Sequence, residues 1–166
     1  VHQSSQSRGA CLAFDWDGSE WRNADPTGQL EGVAGVDTYA GSSVSLSADG
    51  KVLSCGGYGS GNPNADPGGS AGHVRVFERV GSAWTQMGSR LLGEAGADWF
   101  GGVGDVQVGT LLSADGRTLV VSAEGNDEAG ATAGKAYVFH WSGYDWVRLG
   151  DAILGDAPST STRGLG

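Results

Sequence analysis

Gly72 to Trp84, GHVRVFERVGSAW, decides the fold because the same stretch occurs three times. Gly9 to Trp21 reads GACLAFDWDGSEW, and Gly134 to Trp146 reads GKAYVFHWSGYDW. The opening glycines stand 63 and 62 residues apart, and so do the closing tryptophans. A period of this length, carrying alternating apolar positions and no helical spacing, marks an array of β units that cannot bury their own faces without neighbours. The first copy places Asp17-Gly18 between two apolar runs. That is a hairpin signal, because glycine supplies the positive φ such a turn needs.

A second element recurs upstream of the later two copies. Leu46 to Leu53 is LSADGKVL and Leu112 to Leu119 is LSADGRTL, again two short apolar runs around Asp-Gly. The predicted strands are Cys11–Trp16, Trp21–Asn23, Ser43–Ser47, Val52–Cys55, Val74–Glu78, Trp84–Met87, Thr118–Ser122, Ala136–Trp141 and Trp146–Leu149. Between them lie a glycine- and Asn/Asp-rich loop from Gly56 to Ala71, its counterpart from Ala123 to Ala133, and small-residue connectors such as Leu91 to Asp98. Extra material near Val103 to Val108 breaks the period and reads as a surface insertion. The chain divides into a half unit with its connector at 1–38, a unit at 39–99, and a unit with a trailing connector at 100–166. The expected fold is all-β, with antiparallel four-stranded sheets and about 2.6 repeats.

Thirty-one glycines among 166 residues, with a hydrophobic fraction of 39%, fit tight turns and closely approaching strands. A formal net charge of −9 argues against a nucleic-acid partner and against an anionic membrane surface. The acidic surface reads as solubility, with calcium or a basic partner as the sharper alternative. No long apolar run is present, and the sequence fits a processed or excised segment. Cys11 and Cys55 align with Val74 and Val121 in the repeat. Buried thiols acting as small hydrophobes are the preferred reading over a disulfide between neighbouring units.

Tyr39-Ala40-Gly41-Ser42-Ser43-Val44, then LSADGKVLSCGG, then Gly72-His73-Val74-Arg75-Val76-Phe77 resemble the FG-GAP type of repeat of integrin-α-like β-propellers. Phe100-Gly101 supplies the FG pair, Ser122-Ala123 stands near the GA position, and Gly125-Asn126-Asp127 resembles a GND-type loop. The resemblance runs from Gly9 onward. It implies propeller blades, here an incomplete propeller, and a role in adhesion or protein contact in an extracellular, cell-surface or lumenal setting. The calcium loop of the integrin-type repeat is not reproduced. Ser47-Ala48-Asp49-Gly50 and Ser113-Ala114-Asp115-Gly116 carry one carboxylate each and read as plain turns.

His2, His73 and His140 occupy unrelated repeat positions and form no catalytic or zinc-binding pattern. The polar constellation that stands out is the pair of glycine-rich loops. Asn62, Asn64 and Asp66 in one and Asn126, Asp127 and Glu128 in the other are candidate calcium ligands, weighed against simple turn chemistry. Trp99 and Trp141 are candidates for a partner- or sugar-stacking surface. Trp21, Trp84 and Trp146, kept at every repeat, read as wedges between units. The expected function is a non-catalytic interaction, adhesion or structural module rather than an enzyme, its partners being other chains or further repeats. Contacts are expected near Cys11–Trp16 and Trp146–Leu149. The alternative is a glycan-binding or hydrolase-associated domain.

Overall fold

The computed structural model describes residues 9–33, 37–59, 69–102 and 108–156. Within them the chain is all-β and no residue is helical. The strands are β1 (Phe14–Trp16), β2 (Trp21–Asn23), β3 (Ser43–Leu46), β4 (Val52–Gly57), β5 (His73–Val80), β6 (Ala83–Gln86), β7 (Leu91–Leu92), β8 (Thr110–Leu112), β9 (Thr118–Ala123), β10 (Lys135–Trp141), β11 (Trp146–Arg148) and β12 (Ile153–Leu154). They form three antiparallel sheets: a β1-β2 hairpin, a middle sheet β3-β4-β5-β6, and a last sheet β8-β9-β10-β11. β7 and β12 add to β5 and β10 by two residue pairs each. The sequence reads both of these as connector, and each is a strand only because it lies against the start of a long one.

The recurring residues make the same backbone geometry in both full sheets. Asp49 and Asp115 stand at the head of their turns, each accepting from the hydroxyl two residues before it and from the amide two residues after it. Gly50 and Gly116 follow with φ of 71° and 66°, a region that glycine enters without strain. The glycine that opens each repeat has a different reason. A Cβ on Gly72 would strike the backbone of Phe100, and one on Gly9 the backbone of Ala40. Two chain segments therefore cross in contact at this point of the first two units.

The sheets pack in series. One face of the middle sheet and the facing side of the last sheet share a core of Val52, Val74, Val76, Met87, Phe100, Leu119, Val121, Tyr137, Phe139 and Trp146. Phe100 locks that junction. Its amide donates to Ala71 O at 2.9 Å, the next amide, of Gly101, donates to Ser122 O at 2.9 Å, and its ring meets Tyr137 and Phe139 edge-on. Hydroxyls close the same interface. Thr110 Oγ1 lies 2.9 Å from Ser54 Oγ, while Ser43 Oγ accepts from the amides of Gly109 and Thr110. The other face of the middle sheet packs a smaller core of Leu53, Cys55, Phe77 and Trp84 against Cys11, Ala13 and Leu30 from the hairpin side.

Two expectations are corrected here. Cys11 and Cys55 are not free thiols but form a disulfide, with Cα atoms 6.2 Å apart. They take positions that in the next unit belong to valines, and across the thin hairpin interface the two side chains meet head-on. The three repeat tryptophans are not equivalent wedges either. Trp84 and Trp146 are 3% and 6% exposed, whereas Trp21 is 67% exposed. Each buried one rests on the preceding unit, and no described residue stands before the hairpin to cover Trp21.

Candidate functional site

The loop after β9 is held by the chain's own groups. Asn126 Nδ2 donates to Asp98 Oδ1 at 3.0 Å, and Asn126 Oδ1 accepts from the Glu128 amide. Asp127 Oδ1 accepts from the Thr132 amide at 2.6 Å. The Glu128 carboxylate takes the ammonium of Lys135, which is shared with Glu94 at 2.9 Å. Burial works against the Lys135 charge, yet these two carboxylates hold its pKa above the ordinary lysine range. Burial, reinforced by Glu94, pushes the neighbouring Tyr137 phenol up to about 12. Of the three candidate ligands, Asn126 bonds to Asp98 and within the loop, Asp127 bonds within the loop and Glu128 pairs with Lys135, while Asn62, Asn64 and Asp66 lie outside the described residues. Among the described residues no group of three or more His, Cys, Asp or Glu side chains is arranged to hold a metal ion.

Asp98 and Asp37, at matching places in their units, are both buried and differ in company. Asp37 faces Arg90 at 2.8 Å, Arg75 at 3.3 Å and His73 at 3.7 Å, and accepts from the Val33 amide. Burial raises its pKa, but the amide bond and these cations outweigh that and hold it below the usual carboxylate range. Asp98 accepts from the Asn126 side-chain amide and from the Ala95 N–H, and burial outweighs these bonds and the nearby Lys135 charge and leaves its pKa raised. Neither set was legible beforehand, since the side chains of Arg75, Arg90 and Asn126 come from 28 to 53 residues further along the chain.

Of the two candidate tryptophans, Trp141 is half-buried. It pairs with Trp146 across the β10-β11 hairpin at 5.5 Å, and its ring sits against Gly88 of the middle sheet. Trp99 packs beside Gly125 with a φ of 54°, unusual for a bulky residue. Its counterpart Tyr39 has a φ of 58° and stacks on Tyr58 at 4.6 Å. Trp99 is 36% exposed, and a further exposed aromatic group lies on the hairpin, where Trp16 and Trp21 form a tilted pair at 5.4 Å and Phe14 is exposed as well.

A second open surface is the outer side of the last sheet. Leu111, Val120 and Val138 stand opposite one another across three strands, with Ala136 opposite Ile153 alongside. Leu111, Val120, Val147, Leu149 and Ile153 are exposed. In the middle sheet the row matching the first three is Ser45, Ser54 and Val76, and that row is covered by the last sheet. The outward row is the more apolar of the two. Searches against family models and against curated proteins return no match to this chain.

Proposed function

We propose that the chain is a non-catalytic protein-contact module, a blade pair of an FG-GAP-like β-propeller array acting in adhesion or as a structural part of a larger assembly. The observation that carries this reading is the uncovered row Leu111, Val120, Val138 with Leu149 and Ile153 around it. Contiguous apolar surface of this kind marks a contact site rather than a solvated face. The neighbouring sheet supports it, because the matching face there is already buried against another repeat. The Cys11–Cys55 disulfide supports an extracellular, cell-surface or lumenal setting, where such bonds persist. A glycan-binding role is the second reading, carried by the open Phe14, Trp16 and Trp21 surface, since flat aromatic faces suit sugar stacking. Light scattering on the chain across a concentration series tests the first reading. Concentration-dependent mass that falls on Val120→Lys is expected, whereas a monodisperse, cooperatively melting monomer at every concentration would overturn it. A glycan array read with Trp21→Ala separates the second.

A further inference from the structure

In both full sheets the strand that opens the recurring stretch is flanked on one side by the LSADG hairpin. β5 pairs with the whole length of β4, and β10 with the whole length of β9. Two bonds mark the far end of that pairing. The Arg79 amide donates to Lys51 O at 2.7 Å, and the Trp141 amide donates to Arg117 O at 2.9 Å. The acceptor in each case is the residue just after the Asp-Gly turn.

Among the described residues the β1-β2 hairpin has the counterpart of β5 and β10, and no counterpart of the LSADG hairpin lies beside it. β1 pairs with β2 on one side only, and among the described residues nothing pairs with its other edge. Trp16 is the counterpart of Arg79 and Trp141, and its amide has no such acceptor among the described residues. The Ala13 carbonyl accepts from the Ala24 amide on the β2 side. Residues alternate direction along a strand, so Leu12, Phe14 and Trp16 present their backbone groups to the open edge.

The floor beside that edge is also bare. Val44 and Leu46 of β3 are 57% and 55% exposed. Their counterparts in the last sheet are Thr110 and Leu112. Thr110 is buried against Ser43 and Ser54 of the preceding unit's own LSADG hairpin strands, and Leu112 packs on the shared core. The later positions have a preceding strand pair against them, and among the described residues the earlier ones do not. Leu12, Phe14, Trp16, Val44, Leu46 and Trp84 line a groove of about 490 Å³ between β1 and β3.

Resting on the protein-contact reading above, we propose that this groove captures a β-hairpin of the LSADG type from a separate polypeptide. Its inner strand would add to the open edge of β1, and its small and apolar side chains would cover Val44 and Leu46. Main-chain bonds give such strand addition its affinity, and alternate side chains give it selectivity. An unprotected edge beside exposed apolar residues is a template for pairing.

The test uses the intact chain and a synthetic peptide of its own residues 109–123, GTLLSADGRTLVVSA, with a scrambled peptide as control. Saturable binding is expected, read by Trp fluorescence, together with new hydrogen-exchange protection of the Leu12, Phe14 and Trp16 amides. Val44→Lys and Leu46→Lys, both at exposed positions, should each weaken binding at least ten-fold and leave protection in β8–β11 unchanged. Three results would overturn the proposal. These are no saturable binding up to millimolar peptide, β1 amides already protected in the free chain because its own residues cover the edge, or binding lost on Val120→Lys but not on Val44→Lys. The light-scattering result for the outer face stands or falls separately from these.

Discussion

The middle sheet is gripped on both faces, and the two grips are built differently. Toward the last sheet the contact is broad, with eleven buried residues centred on Phe100, Phe139 and Trp146 and a set of hydroxyl bonds through Thr110. Toward the hairpin it is thin. Seven buried residues are supplemented by a disulfide and by the Arg79–Asp15 ion pair. A two-stranded sheet offers too little apolar area to hold itself in place. The covalent bond stands where the broad interface has Val74 and Val121, so cross-linking substitutes for burial where burial is scarce.

The two interfaces differ most at the repeat tryptophans. Trp146→Ala removes a large buried side chain and should cost about 3–5 kcal/mol, lowering the melting temperature by many degrees. Trp21→Ala takes away the same group in an exposed place and should stay within about 0.5 kcal/mol. Equal losses in thermal melts would show that the hairpin face is covered after all.

Reduction is next in size. The Cys11–Cys55 bond closes a span of 44 residues, and cross-links of that length stabilise by roughly 2–4 kcal/mol through the unfolded chain. Adding reductant, or making Cys11→Ser with Cys55→Ser, should release exchange protection in β1 and β2 first, with β8–β11 still closed. Simultaneous loss in all three sheets would mean that the hairpin belongs to one cooperative unit.

A smaller effect is expected at the hydroxyl seam. Thr110→Val strands the buried Ser54 hydroxyl and should cost about 1–3 kcal/mol. The counterpart substitution Val44→Thr, on the bare edge, should be nearly neutral by chemical denaturation.

The repeat and the Asp-Gly turns made the strands legible. His73–Val80 and Lys135–Trp141 follow their alternation to within a residue or two of expectation. What escaped the sequence depends on the third dimension. Cys11 and Cys55 occupy apolar repeat positions, so spacing favoured packing over bonding. Trp21 stands at the same spacing as Trp84, and what separates them is that no described residue covers Trp21. Asn126 and Glu128 alternate around Asp127 along the chain, and their partners are not readable from that spacing. In space Asn126 turns toward Asp98 and Glu128 toward Lys135.

The finest contrast is between Asp37 and Asp98, and acid titration reads it as a difference in sign. Asp37 has a folded pKa below its unfolded value near 3.8. Its contribution is therefore present above that value and is lost as pH falls through the lowered folded pKa. Asp98 has a raised folded pKa, so its contribution is complete below the unfolded value and fades as pH climbs through the folded one. Acidifying from neutrality should thus first relieve the cost of the buried Asp98 charge and only later withdraw the support of Asp37. Melting temperatures recorded from pH 7 down to pH 2 for the parent chain, Asp98→Asn and Asp37→Asn resolve the two. The parent minus Asp98→Asn difference should rise on acidification above pH 4, and the parent minus Asp37→Asn difference should fall below it. Slopes of the same sign would mean that the neighbours of Asp37, namely Arg75, Arg90 and His73, do not outweigh the burial they share with it.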